Sequence, residues 1–330
     1  MGAKELAARM LAGDRGALAR LMTMVENRHP ETATVLSLIH DRCGHAYTIG
    51  VTGPPGAGKS TLVDGIVGRL RHAHHSVGII AVDPSSPFSG GAVLGDRIRM
   101  QSHFLDDQVF IRSLSTRGMH GGLARATHDV AMLLDASGKD FVLIETVGVG
   151  QTELAVMRVA GTTIVVLVPE AGDTVQTMKA GLLEIADIFV VNKADREGAA
   201  QIKTELERML QLRPAGAWNV PVLLTEATAG QGIAELLDAV MRHRKQVHAS
   251  TARAAQDAAA RRQQFLAVLC DEVSRRVEAG VQNGRFSDLL DQVARGDIDP
   301  YRAALQVIGD EERVRQLLAA APVAEHHDPK

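Results

Sequence analysis

Apolar and polar positions fall into three successive patterns along the chain. In residues 1 to about 45 the apolar positions recur at helical spacing, first Leu6, Met10 and Leu11, then Leu18, Leu21, Met22 and Val25. From Tyr47 to about Val247, short β-rich runs alternate with helical stretches. The runs read YTIGVTG, SVGIIAVD, QVFIRSL, FVLIETVG, TTIVVLVP, ADIFVVNK and VPVLLTE. Several are apolar without interruption, as strands covered on both faces must be. The alternation predicts an α/β fold, a mostly parallel sheet with helices on both faces. From about His248 to Pro322 the pattern is helical again, with a break near Gly280–Gly284, and the tail AEHHDPK is expected to be disordered. The expected layout is a helical N-terminal extension over 1–45, a sheet-bearing domain over 46–247 and a helical C-terminal region over 248–330.

Composition narrows this picture more than it extends it. The chain has 330 residues, 45% hydrophobic and 23% charged, as in an ordinary soluble protein. Aromatic residues make up only 3%, so the core has to rest on Leu, Val, Ile, Ala and Met. A net charge of -3 and no concentrated basic stretch argue against a nucleic-acid partner. The basic positions Arg242, Arg244, Lys245, Arg253, Arg261 and Arg262 lack interleaved aromatics and read as a polar helix face. No apolar run reaches the roughly 20 residues of a membrane span, and charges interrupt the N-terminal apolar positions, unlike a signal peptide. Two cysteines, Cys43 and Cys270, suggest a reducing compartment and a cytoplasmic location.

Candidate chemistry sits at the ends of the β-rich runs. Gly53-Pro54-Pro55-Gly56-Ala57-Gly58-Lys59-Ser60 fits G-x-x-x-x-G-K-[ST], with a strand, YTIGVT, before it and a helix, STLVDGIVGRL from Ser60 to Leu70, following; Thr61 lies in its first turn. Such glycines let backbone N–H groups converge on phosphate oxygens at a helix N-terminus. Lys59 would reach the β- and γ-phosphates and Ser60 would supply a hydroxyl to Mg²⁺. Asp83 and Glu145 end two of the runs. With Asp96, they are candidates for direct or water-mediated metal contact, because Mg²⁺ takes oxygen ligands. Asp96 also fits a helix N-cap. Thr146-Val147-Gly148 is a Gly-containing turn suited to a γ-phosphate, and Gln151 carries an amide that can orient a water. Asn192-Lys193-Ala194-Asp195 follows an apolar run; a carboxylate there accepts from the ring N–H and exocyclic amine of guanine, and adenine has no matching pair of donors.

Other positions have plainer readings. Arg117 and His120 lie in a Gly-rich loop and read as solvated loop residues. The histidines His72, His74 and His75, with Cys43 and His45, invite a nickel or zinc reading, but they also fit a solvated helix end.

Taken together, GPPGAGKST, VDPSSPFSGGAVLGDRIRM, ETVGVGQTE, PEAGDTVQTMKAG and NKAD resemble the MeaB/MMAA/ArgK family of G-proteins over nearly the whole chain. The resemblance implies a SIMIBI-class P-loop GTPase and a homodimer held partly by the C-terminal helices. It also implies a chaperone function. GTP hydrolysis, slow alone and stimulated by the partner, would gate cofactor loading and protect or reactivate an adenosylcobalamin-dependent acyl-CoA mutase. By the same resemblance, Lys59, Glu145, Gln151 and Lys179 are the candidate catalytic residues. Gly53 to Thr61, Gly148, Asn192, Lys193, Asp195, Glu226, Ala227 and Thr228 would contact GTP or GDP. Ser60, Asp83, Asp96 and Glu145 would serve Mg²⁺. Gly148 to Glu153 corresponds to one switch and Glu170 to Gly181 to another, with Asp173, Gln176 and Lys179 in its polar positions. The chain departs from the family pattern at Glu170, where a glycine is usual, in STRGMHGG, and at Glu226-Ala227-Thr228. The mutase would be of the methylmalonyl-, isobutyryl- or 2-hydroxyisobutyryl-CoA type, and these departures favour one of the latter two. The alternatives are a nickel or zinc metallochaperone GTPase and a kinase associated with amino-acid transport.

Overall fold

The computed structural model describes residues 2–83, 103–115, 122–146, 148, 157, 159–169, 182–212, 218–249 and 252–318. The chain divides into two compact units, Met1–Ala249 and Ser250–Lys330.

The first unit is built on seven parallel strands: β1 (Tyr47–Thr52), β2 (Val77–Asp83), β3 (Val109–Ser115), β4 (Phe141–Thr146), β5 (Thr162–Leu167), β6 (Ile188–Asn192) and β7 (Val222–Thr225). Their order across the sheet is β3-β2-β4-β1-β5-β6-β7. Every β-rich run in the sequence became one of these strands. The order reverses at β1, where β4 and β5 lie on either side, and such a switch point opens a crevice at the carboxyl ends of the strands.

Helices cover both faces. On one face lie α4 (Lys59–His72) and, further along the chain, α7 (Ile233–Ala249). Leu62, Val63, Ile66, Ile233 and Leu236 there pack on Ile49, Val51, Ile164 and Ile188. The other face has two halves. The N-terminal helices α1 (Ala3–Leu11), α2 (Arg15–Glu26) and α3 (Thr32–Ile39), with α5 (Gly122–Ala136), cover Ile80, Val82, Val142 and Ile144. Helix α6 (Ala199–Gln211) covers Val165, Leu167, Phe189 and Val191 through Ala199, Ile202 and Leu206. Alternate residues of β5 and β6 therefore enter different cores, which is why those runs are apolar throughout.

The N-terminal helices begin where the apolar spacing places them, with one difference. Leu6 and Met10 are buried but Leu11 is 41% exposed, because adjacent residues on a helix point about 100° apart. Asp14 caps α2, accepting from the backbone N–H of Gly16 and Ala17; those bonds and Arg9 hold its carboxyl below the usual carboxylate range. Two long-range clamps bind α2 to the edge strand β3. Arg15 donates to the carbonyls of Asp107 and Val109, and Arg112 donates to Glu26 at 2.5 Å and to Thr23 at 3.1 Å.

The second unit is helical: α8 (Ala252–Gln282), α9 (Ser287–Arg295), α10 (Pro300–Ile308) and α11 (Glu311–Leu318). The break expected near Gly280–Gly284 is the end of α8. Asp299 caps α10, accepting from Arg302 N–H at 2.9 Å, with Pro300 as its first residue. The C-terminal tail lies outside the described residues. Among the described residues no helix is long and apolar enough to cross a membrane.

Candidate functional site

Strand β1 delivers the chain into the loop Gly53 to Ser60 at the carboxyl edge of the sheet. Gly53 has φ of +149°, and a Cβ there would lie 2.1 Å from the Val166 carbonyl oxygen on β5. Gly58 has φ of +83°, and its Cβ would lie 2.4 Å from Asn192 Nδ2. Both positions are therefore closed to side chains by conformation and by space. Because Gly58 caps α4 without a side chain, backbone N–H groups are left to face an anion at the helix N-terminus. Lys59 is 6% exposed, and its Nζ donates to the carbonyls of Gly53 and Pro54, both at 2.9 Å. The ammonium is thus held over the mouth of its own loop. Pro55 and Gly56 are exposed at the tip, and Ala57 is buried beneath it.

Ser60 and Glu145 meet behind the loop. The Ser60 hydroxyl donates to Glu145 Oε1 at 2.5 Å, and both residues are about 4% exposed. Glu145 is in register with Val51, one residue before the end of β1. A serine hydroxyl beside a carboxylate offers hard oxygen donors of the kind that Mg²⁺ takes. Asp83 closes β2 at the same edge of the sheet. Gly148 is also brought here: its carbonyl accepts from the Thr52 hydroxyl at 3.1 Å. Asp96, Gln151, Glu170, Asp173, Gln176 and Lys179 lie outside the described residues, as do Arg117 and His120.

Strands β6 and β7 carry the second half of the site. Asn192 ends β6, is 3% exposed, and uses both ends of its amide. Its Nδ2 donates to the Ala57 carbonyl at 2.9 Å, while its Oδ1 accepts from Thr225 Oγ1 at 3.0 Å and from Ala227 N–H at 3.1 Å. One side chain therefore joins the Gly-rich loop, the Asn192–Asp195 loop and the loop after β7. Ala194 N–H adds a bond to the Thr225 carbonyl at 3.0 Å. Lys193 takes φ of +57°, turning the chain so that Asp195 is exposed in a cleft of about 580 Å³ that Lys203, Thr225 and Glu226 also line. Ala227 lies in a short 3-10 turn with Thr228 exposed beside it.

Sequence reasoning missed Thr52 and Thr225 here, and it named Thr146 only as the start of a Gly-containing turn. Thr52, Thr146 and Thr225 are each at most 1% exposed and carry hydrogen bonds between site segments. The only available signal was a hydroxyl at the last residue of an otherwise apolar strand.

The histidine and cysteine candidates do not assemble. Among the described residues no group of three or more His, Cys, Asp or Glu is placed to hold a metal ion. The Cys43 thiol donates to the carbonyls of Ile39 and Met132, and burial, with Asp135 nearby, pushes its pKa up to about 11, away from the thiolate a metal requires. His75 packs edge-on against Phe141 and lies 3.9 Å from Asp140.

Comparison with known proteins agrees with this geometry. Residues 18–282 match the model of the family described as Methylmalonyl Co-A mutase-associated GTPase MeaB. A putative GTPase of Pyrococcus abyssi is 47% identical, covering 92% of this chain and 95% of its own. The mouse protein named methylmalonic aciduria type A homolog, mitochondrial, is 35% identical, covering 73% of this chain and 63% of its own. The solved structure titled LAO/AO transport system kinase superposes with a TM-score of 0.64 at 27% identity, over 92% of this chain and 95% of that one.

Proposed function

The chain belongs to the MeaB family of methylmalonyl Co-A mutase-associated GTPases, and we propose that it is a GTP-hydrolysing chaperone of an adenosylcobalamin-dependent acyl-CoA mutase. In this reading hydrolysis gates cofactor loading and protects or reactivates the mutase. The observation that carries it is the connection through Asn192. The loop suited to phosphates and the loop suited to guanine share one buried amide, so base and phosphate occupancy are felt together.

Each residue then has a defined task. Asp195 accepts from the two guanine donors. The N–H groups from Gly53 to Thr61 hold the phosphates. Lys59 leaves the carbonyls of Gly53 and Pro54 and places its charge on the β- and γ-phosphates, where negative charge develops in the transition state. Ser60, with Glu145, Asp83 and Asp96, would hold Mg²⁺, which would supply positive charge against the negative charge of the phosphates. Gly148 borders the terminal phosphate, and Gln151 orients the attacking water. Lys179 and its switch report the nucleotide state to the mutase. The helical second unit contributes to a homodimer.

The preferred partner is an isobutyryl- or 2-hydroxyisobutyryl-CoA mutase, on account of Glu170 and the Glu226-Ala227-Thr228 loop. The test is GTP turnover with and without each candidate mutase, methylmalonyl-CoA mutase included. Stimulation by one of them supports the reading. Turnover that none of them changes rejects it. Transfer of labelled γ-phosphate to arginine or to a protein, rather than to water, would favour a kinase.

A further inference from the structure

Two hydroxyls beneath the site have no task in the reading above. Thr52 and Thr146 end the adjacent strands β1 and β4 and are both 0% exposed. The Thr146 hydroxyl lies 2.9 Å from Thr52 Oγ1 and 3.3 Å from the Gly148 carbonyl, and the Thr52 hydroxyl donates to that carbonyl at 3.1 Å. Each threonine has one proton to give. The arrangement that uses both is a chain in which Thr146 donates to Thr52 and Thr52 donates to Gly148. Hydrogen bonds in such a chain polarise and strengthen one another away from water.

The location of this chain gives it a consequence. Thr52 is bonded to Gly53, whose carbonyl holds the Lys59 ammonium at 2.9 Å. Thr146 follows Glu145, which holds Ser60. Because side chains alternate along a strand, Glu145 faces α4 while Thr146 faces the opposite side, where Gly148 is tied. The same two strand ends therefore fix the cation, the serine hydroxyl and the glycine.

We infer that Thr52 and Thr146 are positioning residues that pre-order Gly148 beside the phosphate loop and so set how strongly the site prefers a nucleoside triphosphate to a diphosphate. This rests on the guanine-nucleotide reading of the site. A glycine is the residue with the most freedom to lose. Tying its carbonyl before the nucleotide arrives removes that ordering cost from the contact only the third phosphate makes. A diphosphate does not reach Gly148 and gains nothing.

The experiment compares Kd for GDP and for a non-hydrolysable GTP analogue in the full chain and in Thr52→Val, Thr52→Ser and Thr146→Val. Valine keeps the shape and removes the hydroxyl. The expected result is a fall of about tenfold in the analogue-to-GDP preference in Thr52→Val, the effect of one lost hydrogen bond in a buried chain, and a smaller fall in Thr146→Val. Thr52→Ser should restore most of the preference. An unchanged preference in both valine variants, or equal losses for the two nucleotides, would overturn the inference and leave the nucleotide reading standing. A wild-type chain that binds neither nucleotide would end both.

Discussion

At the scale of single residues, the proposed chemistry rests first on Lys59 and Asp195. The Lys59 ammonium is held at the loop by the carbonyls of Gly53 and Pro54. Lys59→Ala should therefore lower kcat by on the order of 10²-fold or more, the usual consequence of removing a charge that stabilises the transition state. Steady-state turnover with saturating GTP reads this directly, and wild-type turnover would remove Lys59 from the mechanism. Asp195→Asn turns one acceptor into a donor, so it should weaken GTP by about 10²-fold, the value of two bonds to a charged group, and favour xanthosine triphosphate. Competition between the two nucleotides measures it, and equal losses for both would sink the assignment. These two residues were legible in the sequence because a short motif brings its context with it: a strand before, a helix or turn after. Asn192 was legible only as a member of the string. Its bonds to Ala57, 135 positions earlier, and to Ala227, 35 later, exist only once β6 lies near β1. Thr52 carried no motif at all, and Thr146 was legible only as a member of ETVGVGQTE, with nothing to mark its bond to Thr52.

At the scale of elements, long-range polar clamps decide how layers stay in register. Helix α2 is bound to β3 through Arg112 and Glu26, which are 18% and 10% exposed. Breaking a largely buried pair leaves one charge without compensation, which costs about 3 kcal/mol. Glu26→Ala should therefore lower the thermal midpoint by several degrees, as followed by circular dichroism. A midpoint within a degree of wild type would show that the pair contributes nothing net. A second clamp lies at the opposite end of the sheet from the nucleotide loops. Tyr47 bonds Thr162 at 2.5 Å, Thr162 bonds His243 Nδ1 at 2.8 Å, and His243 Nε2 lies 3.4 Å from Asp187. Trp218 packs on the His243 ring, and Arg244 stacks over Tyr47. Burial lowers the His243 pKa, with Asp187 opposing, so the folded state favours the neutral ring. The unfolded chain takes up the proton near pH 6.5. Stability from this group is thus present above about pH 6.5 and is lost as the pH falls below it. His243→Gln should flatten the fall in thermal midpoint as the pH drops below about 6.5. An unaltered profile would show that other groups govern it. The strands and helices that these clamps join were readable from periodicity, since each run carries its own signal. The clamps were not, since Tyr47, Thr162, Asp187 and His243 are spread over β1, β5, the turn before β6 and α7.

At the scale of the whole molecule, the question is what the second unit does with its apolar surface. On α8, Phe265, Leu269 and Val273 recur at four-residue spacing and are 64%, 47% and 37% exposed. On α10, Tyr301, Leu305 and Ile308 are 83%, 69% and 67% exposed. Spacings of three and four residues line a single helix face, so each set forms a stripe rather than a scatter. Isolated exposed apolar residues need no partner, but contiguous stripes of this kind are the surface that association removes from water. Beside the α8 stripe, Glu272 pairs with Arg275 and Arg276, chiefly through its bond to Arg275, which holds its carboxyl at about 2. If the proposed homodimer forms through these helices, sedimentation velocity at micromolar concentration should give the mass of two chains. Replacing Phe265 and Leu269 with Asp would place two charges in a desolvated contact and should convert the species to a monomer with its helix content intact. Leu305→Asp reports on α10 separately: dissociation by this change but not by the α8 pair would assign the contact to α10. A wild-type chain that sediments as a monomer up to about 100 μM would remove self-association from the proposed function, because a contact weaker than about 5 kcal/mol does not hold two subunits together at cellular concentrations.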